Sequence, residues 1–256
     1  MRLQSFLTLY HLGIATFSLW SFFFLTLSPL TSLAHAQNKG SYSIPAVVYA
    51  GPGACEEGCA QAAQNLVGQF GLSSHLINTA SIVPSLFKNL QLWVQPGGDA
   101  VQVAQTMTAY QMSLLRNWIY RGGKYIGFCA GAFFADTTVD DNDSIMGLGL
   151  LPGITEDYSK NKVPMIMPIF WQGRFRSLFF QDGPAFHLQP LSTTRVLAYY
   201  PNGAPSIIAF PFGKGRVILT APHPEAPPAW FTESGLQDPD GPDMDIGVDL
   251  LKFLFQ

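Results

Sequence analysis

The chain has 256 residues, a length that a single α/β domain can fill. Hydrophobic residues make up 48% and charged residues only 12%, which is enough apolar material for a core and the opposite of a disordered composition. The 14 Lys and Arg and the 17 Asp and Glu give a net charge of −3, with no basic block or basic-aromatic stripe. Nucleic acid and anionic membrane surfaces are therefore excluded as expected partners.

Residues 1–36 have the layout of a secretory signal peptide. Arg2 is their only Lys, Arg, Asp or Glu, an apolar run extends from Leu12 to Leu27, and Ala34-His35-Ala36 places small residues where a signal peptidase cleaves. The alternative is an uncleaved membrane anchor, because the apolar run is almost long enough to span a bilayer. The Ala-x-Ala site favours cleavage after Ala36. We therefore expect an exported protein, periplasmic or secreted, without membrane contact once the peptide is removed.

After a short polar linker over residues 37–43, residues 44–256 alternate between strand-like and helix-like patterns. Such alternation is typical of a parallel, doubly wound sheet. The first four strands are predicted at Pro45–Tyr49, His75–Asn78, Gln91–Gln95 and Lys124–Phe128. One helix is predicted over Cys55–Phe70, with Glu56 and Glu57 in its first turn, where they complement the helix dipole.

A second, long helix is predicted to begin at Asp99 as N-cap and to end at Gly122-Gly123. It is inferred from an apolar stripe at spacings of three and four, formed by Val103, Met107, Tyr110, Leu114 and Trp118.

The pattern weakens between residues 140 and 190, which are rich in Gly, Pro and Asp and receive no assignment. Three further strands are predicted at Arg195–Tyr200, Ser206–Pro211 and Arg216–Thr220, and a final helix at Met244–Phe255. The last two strands are joined at Gly213–Gly215, which predicts an antiparallel hairpin.

The run Gly127-Phe128-Cys129-Ala130-Gly131 has the pattern of a nucleophile elbow. A predicted strand leads directly into Cys129, and glycines two residues before and two after it permit a sharp turn into a helix. A cysteine at a helix N-terminus is also favoured as thiolate. The alternative is a buried structural cysteine.

A cysteine nucleophile needs a base and a third group that orients the base. In Pro222-His223-Pro224-Glu225, an extended segment would direct His223 and Glu225 to the same face, so His223 is the predicted base and Glu225 its orienting residue. The alternatives are a surface histidine and a solvated acid.

Acyl transfer also needs donors for an oxyanion. The predicted pair is the backbone N–H of Gly98, within Pro96–Asp99, and that of Ala130. Pro-Gly-Gly is also common in plain turns. Because ligands gather at the carboxyl ends of parallel strands, Gly51–Ala54, Pro96–Asp99 and the turn at Cys129 are expected to meet in one crevice.

Cys55 and Cys59 stand four residues apart. In an exported protein they are a candidate disulfide, whereas on a regular helix two reduced thiols are the better interpretation, because an i,i+4 bridge fits a helix poorly. Their spacing lacks the two intervening residues of a thiol-redox pair, which argues against a redox protein. No metal site and no cofactor is predicted.

Together, three stretches resemble class I glutamine amidotransferase-like proteins, and among them the N-terminal amidotransferase-like domain of eukaryotic-type biotin protein ligases, also found as a stand-alone bacterial protein. They are Val48–Gly53, Pro96–Asp99 and Arg121–Gly131 (RGGKYIGFCAG), and the resemblance covers most of residues 44–225. It implies a flavodoxin-like fold and a Cys129-His223-Glu225 triad.

Two functions follow as expectations. The first is a cysteine-dependent hydrolase or amidase acting on an amide or peptide-like bond of a small molecule or peptide. The second is a non-catalytic binding or interaction domain that keeps the fold. Phe133 favours the second, because glutamine amidotransferases usually carry Gln at this position, four residues after the nucleophile. The chain also lacks a Gly-Arg-Gly-Arg-x-Gly loop, so biotin ligation is not inferred.

Overall fold

The computed structural model describes residues 46–140, 142–190 and 193–256. The predicted signal peptide and the linker over residues 37–43 lie outside these ranges. The described residues group into one compact unit. Within the described ranges, no helix combines the length and the apolar character that a bilayer crossing requires.

The described residues contain eleven strands and six helices, besides two short 3-10 turns. The strands are β1 (Ala46–Tyr49), β2 (Ser74–Ile77), β3 (Leu92–Gln95), β4 (Lys124–Phe128), β5 (Gly153–Asp157), β6 (Met165–Trp171), β7 (Arg174–Phe180), β8 (Pro184–Leu188), β9 (Arg195–Tyr199), β10 (Pro205–Phe212) and β11 (Gly215–Thr220). The helices are α1 (Cys59–Gln69), α2 (Ala100–Thr106), α3 (Ala109–Tyr120), α4 (Ala130–Phe133), α5 (Pro228–Glu233) and α6 (Met244–Phe255).

Nine strands form one sheet in the order β2-β1-β3-β4-β11-β10-β9-β6-β7. The five strands from β2 to β11 are parallel, and every pair beyond β11 is antiparallel. The parallel half has the order 2-1-3-4-5 of a flavodoxin-like fold, which confirms the predicted doubly wound class. β5 and β8 pair separately.

The parallel strands form the centre of the core. β1 and β3 are buried along their whole length, and β4 except at Lys124, because helices cover both faces of this half of the sheet. Their short apolar runs made them predictable, and β4 and α6 have the predicted bounds. The predicted hairpin is also present, since β10 and β11 are antiparallel and turn at residues 213–214.

The first predicted helix begins later than expected. Residues 55–58 form turns, and α1 starts only at Cys59, after Gly58 with a φ of 89° in the left-handed region. Glu56 and Glu57 therefore do not lie in a first helical turn. The helix begins only after Gly58, because Gly58 has the left-handed conformation that glycine alone adopts readily.

The second predicted helix is two helices. Asp99 caps α2 as predicted, accepting the Gln102 N–H, but α2 ends before Met107. Thr108 then starts α3 with a capping box to Gln111. This break rotates the second half of the helical surface, so Tyr110 is 62% exposed, whereas Leu115 and Ile119 face the core.

The stretch that the sequence left unassigned supplies the antiparallel side of the sheet. Within it, β7 is tied to the start of α6 by Arg176, which is buried and bonds Asp243 and Asp245 at 2.8 Å. The carboxyl end of β7 thereby lies beside the carboxyl ends of β4 and β11. The Cys129 Sγ and the His223 N–H both bond carbonyls of residues 179–181 there.

Candidate active site

Cys129 lies at the turn between β4 and α4. Its φ of 47° and ψ of −105° are unusual for a residue with a side chain, and such outliers mark nucleophile elbows. The flanking glycines are required because a Cβ on Gly127 would collide with Gly131 O, and one on Gly131 with Gln95 O. The Cys129 N–H donates to Thr220 O at 2.8 Å, which fixes the elbow to β11.

The Cys129 thiol faces a cavity of about 570 Å³. The side chain is 6% exposed, and Sγ donates to Gln181 O at 3.3 Å. A thiol hydrogen rotates freely about Cβ–Sγ, so this bond leaves the sulfur available to another partner. The three predicted glycine-rich loops meet here, because Gly53, Gly98 and Cys129 all line the cavity.

His223 lines the same cavity, and its Nδ1 lies 2.8 Å from Glu225 Oε1. Both side chains are buried. The segment is not extended as predicted. It turns, with the Ala226 N–H donating to His223 O, and the turn brings the two side chains together. The His223 N–H donates to Phe179 O at 2.9 Å, which fixes the segment to β7.

The charge of His223 is set by competing effects. Burial of the ring opposes protonation, but the Glu225 carboxylate and the neighbouring Cys129 sulfur outweigh it and raise the pKa of His223 to about 10. A histidine in this state donates from Nδ1 to Glu225 and presents a second N–H at Nε2. The arrangement favours an imidazolium beside the Cys129 sulfur.

Aromatic rings and a glycine hold the histidine ring. Phe179 and Trp230 pack edge-on against it, with centroid separations of 6.0 and 5.4 Å. A Cβ on Gly97 would lie 2.7 Å from His223 Cε1, so only glycine fits below the ring. These contacts leave the imidazole one orientation.

Of the predicted oxyanion donors, Gly98 lines the cavity with a φ of 140°, and Ala130 directly follows Cys129 as the first residue of α4. Among the hydrogen bonds of the described residues, neither backbone N–H has an acceptor. Unpaired backbone amides are the kind of donor that can stabilise a developing oxyanion.

The structure joins Cys55 and Cys59 in a disulfide, with Cα atoms 5.4 Å apart. The bridge is compatible with the backbone because Cys55 precedes the helix. Both cysteines line the cavity that contains Cys129.

The rim of the cavity is acidic. Five described carboxylates line it, and Lys162, which also lines it, already bonds one of them, Asp182, at 3.0 Å. They are Glu56, Glu57, Asp99, Asp182 and Glu233. The cavity therefore favours neutral or cationic ligands over anionic ones.

Comparisons with known proteins show what this chain is similar to. Residues 44–144 match the family described as "Biotin-protein ligase, N terminal". The biotin–protein ligase of Schizosaccharomyces pombe is 26% identical over 190 residues, which are 64% of this chain and 29% of the yeast protein. An uncharacterized protein of Chlamydia muridarum is also 26% identical, over 53% of this chain and 60% of its own length.

The solved structure of a glutamine amidotransferase matches 76% of this chain and its own full length, with a TM-score of 0.56 and 16% identity. The chain thus resembles the N-terminal domain of biotin–protein ligases over residues 44–144 and has the fold of a glutamine amidotransferase. A putative GMP synthase component from Thermoplasma acidophilum shares the fold at a TM-score of 0.53 and 10% identity, over 84% of this chain and 99% of its own. The chain spans less than two thirds of the curated relatives that it matches.

Several residues that line the cavity or contact His223 were not predicted from the sequence. Gln181 and Asp182 lie on the cavity wall, and their carbonyls face the Cys129 thiol. The only local signal was Asp182-Gly183, a dipeptide typical of turns. Phe179 and Trp230 carried no signal, because they meet His223 only through tertiary packing.

Phe133 packs half-buried against the core and is not among the described residues that line the cavity. The position that holds Gln in glutamine amidotransferases therefore contributes no hydrogen bond to a ligand here.

Replacing Gly97 with Ala is expected to slow acylation of Cys129 by roughly 10²-fold, because the new Cβ displaces the His223 ring and misplacement of about 1 Å has this effect. The measurement is release of p-nitrophenolate from p-nitrophenyl acetate. Gly68→Ala is the matched control, since Gly68 lies in α1 with open space around it. Equal rates for the two variants would refute the role given to Gly97.

Proposed function

We propose that this protein is a cysteine-nucleophile amidase or hydrolase that acts on an amide or peptide-like bond. One observation carries the proposal. Cys129 occupies a strained elbow at a cavity that His223 also lines, and His223 bonds Glu225 at 2.8 Å. A nucleophile, a base and a group that orients the base are the minimum set for this chemistry.

The reaction begins with transfer of the thiol proton to His223, whose charge Glu225 stabilises. The thiolate attacks the carbonyl carbon, and the N–H groups of Gly98 and Ala130 bind the resulting oxyanion. The C–N bond then breaks, and His223 returns its proton to the leaving amine. Water, deprotonated by His223, hydrolyses the thioester and releases the acid together with the free thiol.

The raised pKa of His223 supports this order of steps. A ring that is protonated near neutral pH places an imidazolium beside Cys129 before the substrate binds. A cation beside the sulfur favours attack by the thiolate, as in other cysteine–histidine pairs. The acidic rim adds a preference for amides without a negative charge near the scissile bond.

We propose further that the protein is exported and that residues 1–36 are removed after Ala36. The support is the Ala-x-Ala site after an apolar run. Fractionation of cells expressing the full chain, with the N-terminus of the mature protein sequenced, tests this. An N-terminus at Gln37 in the exported fraction is expected, and an intact N-terminus in the membrane fraction would refute it.

A non-catalytic binding domain is the second candidate, and Phe133 favours it. Transfer of ammonia from glutamine is not proposed, because Phe133 stands where glutamine amidotransferases usually carry Gln. Biotin ligation is no part of the proposal, because the alignment covers only 29% of the yeast ligase. A screen of amide, peptide and γ-glutamyl substrates, with Cys129→Ala as control, separates turnover from binding alone.

The activated thiol is tested by alkylation with iodoacetamide at pH 6.5, with the adduct located by peptide mass spectrometry. Cys129 is expected to react at least about tenfold faster than a free cysteine, because thiolate is the reacting form. His223→Gln should lose this advantage. A wild-type rate no higher than that of free cysteine would refute the activated nucleophile.

A further inference from the structure

The Cys55–Cys59 disulfide lies in contact with the loop that carries Gly98. The segment before Cys59 pairs with this loop as a short antiparallel bridge between Ala54 and Gly98. The Cys55 N–H donates to Gly97 O at 3.1 Å, and the Asp99 N–H donates to Gly53 O at 2.8 Å. The position of the Gly98 amide is therefore set by residues 53–55.

The other end of the disulfide touches the same loop from α1. A Cβ on Gly97 would lie 3.5 Å from Cys59 Sγ, with His223 Cε1 on its other side. Gly97 is thus enclosed between the bridge and the proposed base. Cys59 is 5% exposed and is the first residue of α1.

The four residues from Cys55 to Gly58 form no regular structure. Among the described residues, few hydrogen bonds from side chains hold this segment. One of them joins Trp230 Nε1, as donor, to Glu57 O at 3.0 Å. Beside the backbone itself, the disulfide is a second covalent link between this turn, which pairs with the Gly98 loop, and α1. Cys55 is half-buried on the cavity wall, so a reductant that enters the cavity can reach the bridge.

We propose that Cys55 and Cys59 are positioning residues of the active site. Their disulfide holds residues 53–55 against the Gly97–Asp99 loop and so fixes the Gly98 donor, and reduction releases the loop and lowers acyl transfer. The inference rests on the proposed function, in which Gly98 binds the oxyanion. The bridge would then make activity depend on an oxidising environment.

Two probes separate this role from a general loss of structure. Acetylation of Cys129 by p-nitrophenyl acetate forms a thioester and releases p-nitrophenolate through an oxyanion, whereas alkylation by iodoacetamide displaces iodide without one. If the Gly98 N–H is no longer held in place, only the acetylation should become slower. Because removal of an oxyanion donor costs roughly 10² to 10³-fold, release of the loop should slow acetylation by at least about tenfold.

The experiment compares the oxidised protein, the protein reduced by a phosphine, and Cys55→Ala/Cys59→Ala, in which Cys129 is the only cysteine left. The phosphine takes oxygen from water to give its oxide, and the two sulfurs become thiols. Slower acetylation with unchanged alkylation in both disulfide-free forms is the expected result. The reduced wild type provides the measurement if the double variant does not fold, with the acetyl and carbamidomethyl groups on Cys129 followed by peptide mass spectrometry, because Cys55 and Cys59 are then free thiols as well.

Equal acetylation rates in the three forms would overturn the positioning role and leave the proposed function intact. A parallel fall of acetylation and alkylation would also overturn it, because it would show a structural effect on Cys129 itself. A Cys129 that reacts with neither probe in the oxidised protein would refute the proposed function and this inference with it.

Discussion

Cys129→Gly is expected to be more stable than Cys129→Ala by about 1 to 3 kcal/mol, although both variants lose acyl transfer. The backbone at Cys129 has a φ of 47° and a ψ of −105°, which glycine adopts without the steric cost of a Cβ. Alanine keeps that cost and loses the sulfur. Since both variants leave the thiol pocket empty, their difference is the backbone strain less the roughly 0.4 to 1 kcal/mol that the freer unfolded chain of a glycine variant costs.

The catalytic loss should be large and equal in the two variants. Removing the nucleophile of a triad enzyme lowers turnover by roughly 10⁴ to 10⁶-fold. Urea unfolding gives the stability difference, and p-nitrophenolate release gives the rate. A glycine variant that is no more stable than the alanine variant would show that the elbow stores no strain, and residual turnover in both would assign the reaction to another group.

The parts of the fold that were predicted from the sequence are those that local sequence patterns determine. β4 and the β10–β11 hairpin were predicted, because a short apolar run and a glycine turn are local features. The break between α2 and α3 was missed although Thr108 and Gln111 have capping-box spacing. The apolar stripe continues past Thr108 and indicates one continuous helix.

The site was predictable where its residues lie directly after parallel strands. Cys129 and Gly98 follow β4 and β3, and the carboxyl ends of these neighbouring strands meet at one edge of the sheet. Gln181, by contrast, is 52 residues from Cys129 along the chain and comes from the antiparallel side of the sheet. No local pattern indicated that β7 would end beside the elbow, because tertiary packing alone brings it there.

His223→Gln, introduced into Cys129→Ala, is expected to remove a large pH dependence of stability on the alkaline side of neutrality. Alanine at position 129 is needed because a proton that moves from the thiol to His223 leaves the number of bound protons unchanged. Burial lowers the pKa of His223, but the Glu225 carboxylate, the strongest of the effects that raise it, remains in this background, so above pH 6.5 the folded protein keeps a proton that the unfolded chain has released. Stability from this group is therefore fully present below pH 6.5 and is lost as the pH rises through the raised pKa. The slope is about 1.4 kcal/mol per pH unit within that window.

The measurement is the free energy of unfolding in urea at pH values from 6 to 10.5, for Cys129→Ala and for Cys129→Ala/His223→Gln. The double variant leaves Glu225 buried without its cation, so Cys129→Ala should be the more stable at pH 7, with a difference that shrinks toward pH 10. Parallel curves for the two variants would mean that His223 is neutral in the folded protein. The proposed mechanism would then need a neutral His223 that accepts the thiol proton only during attack.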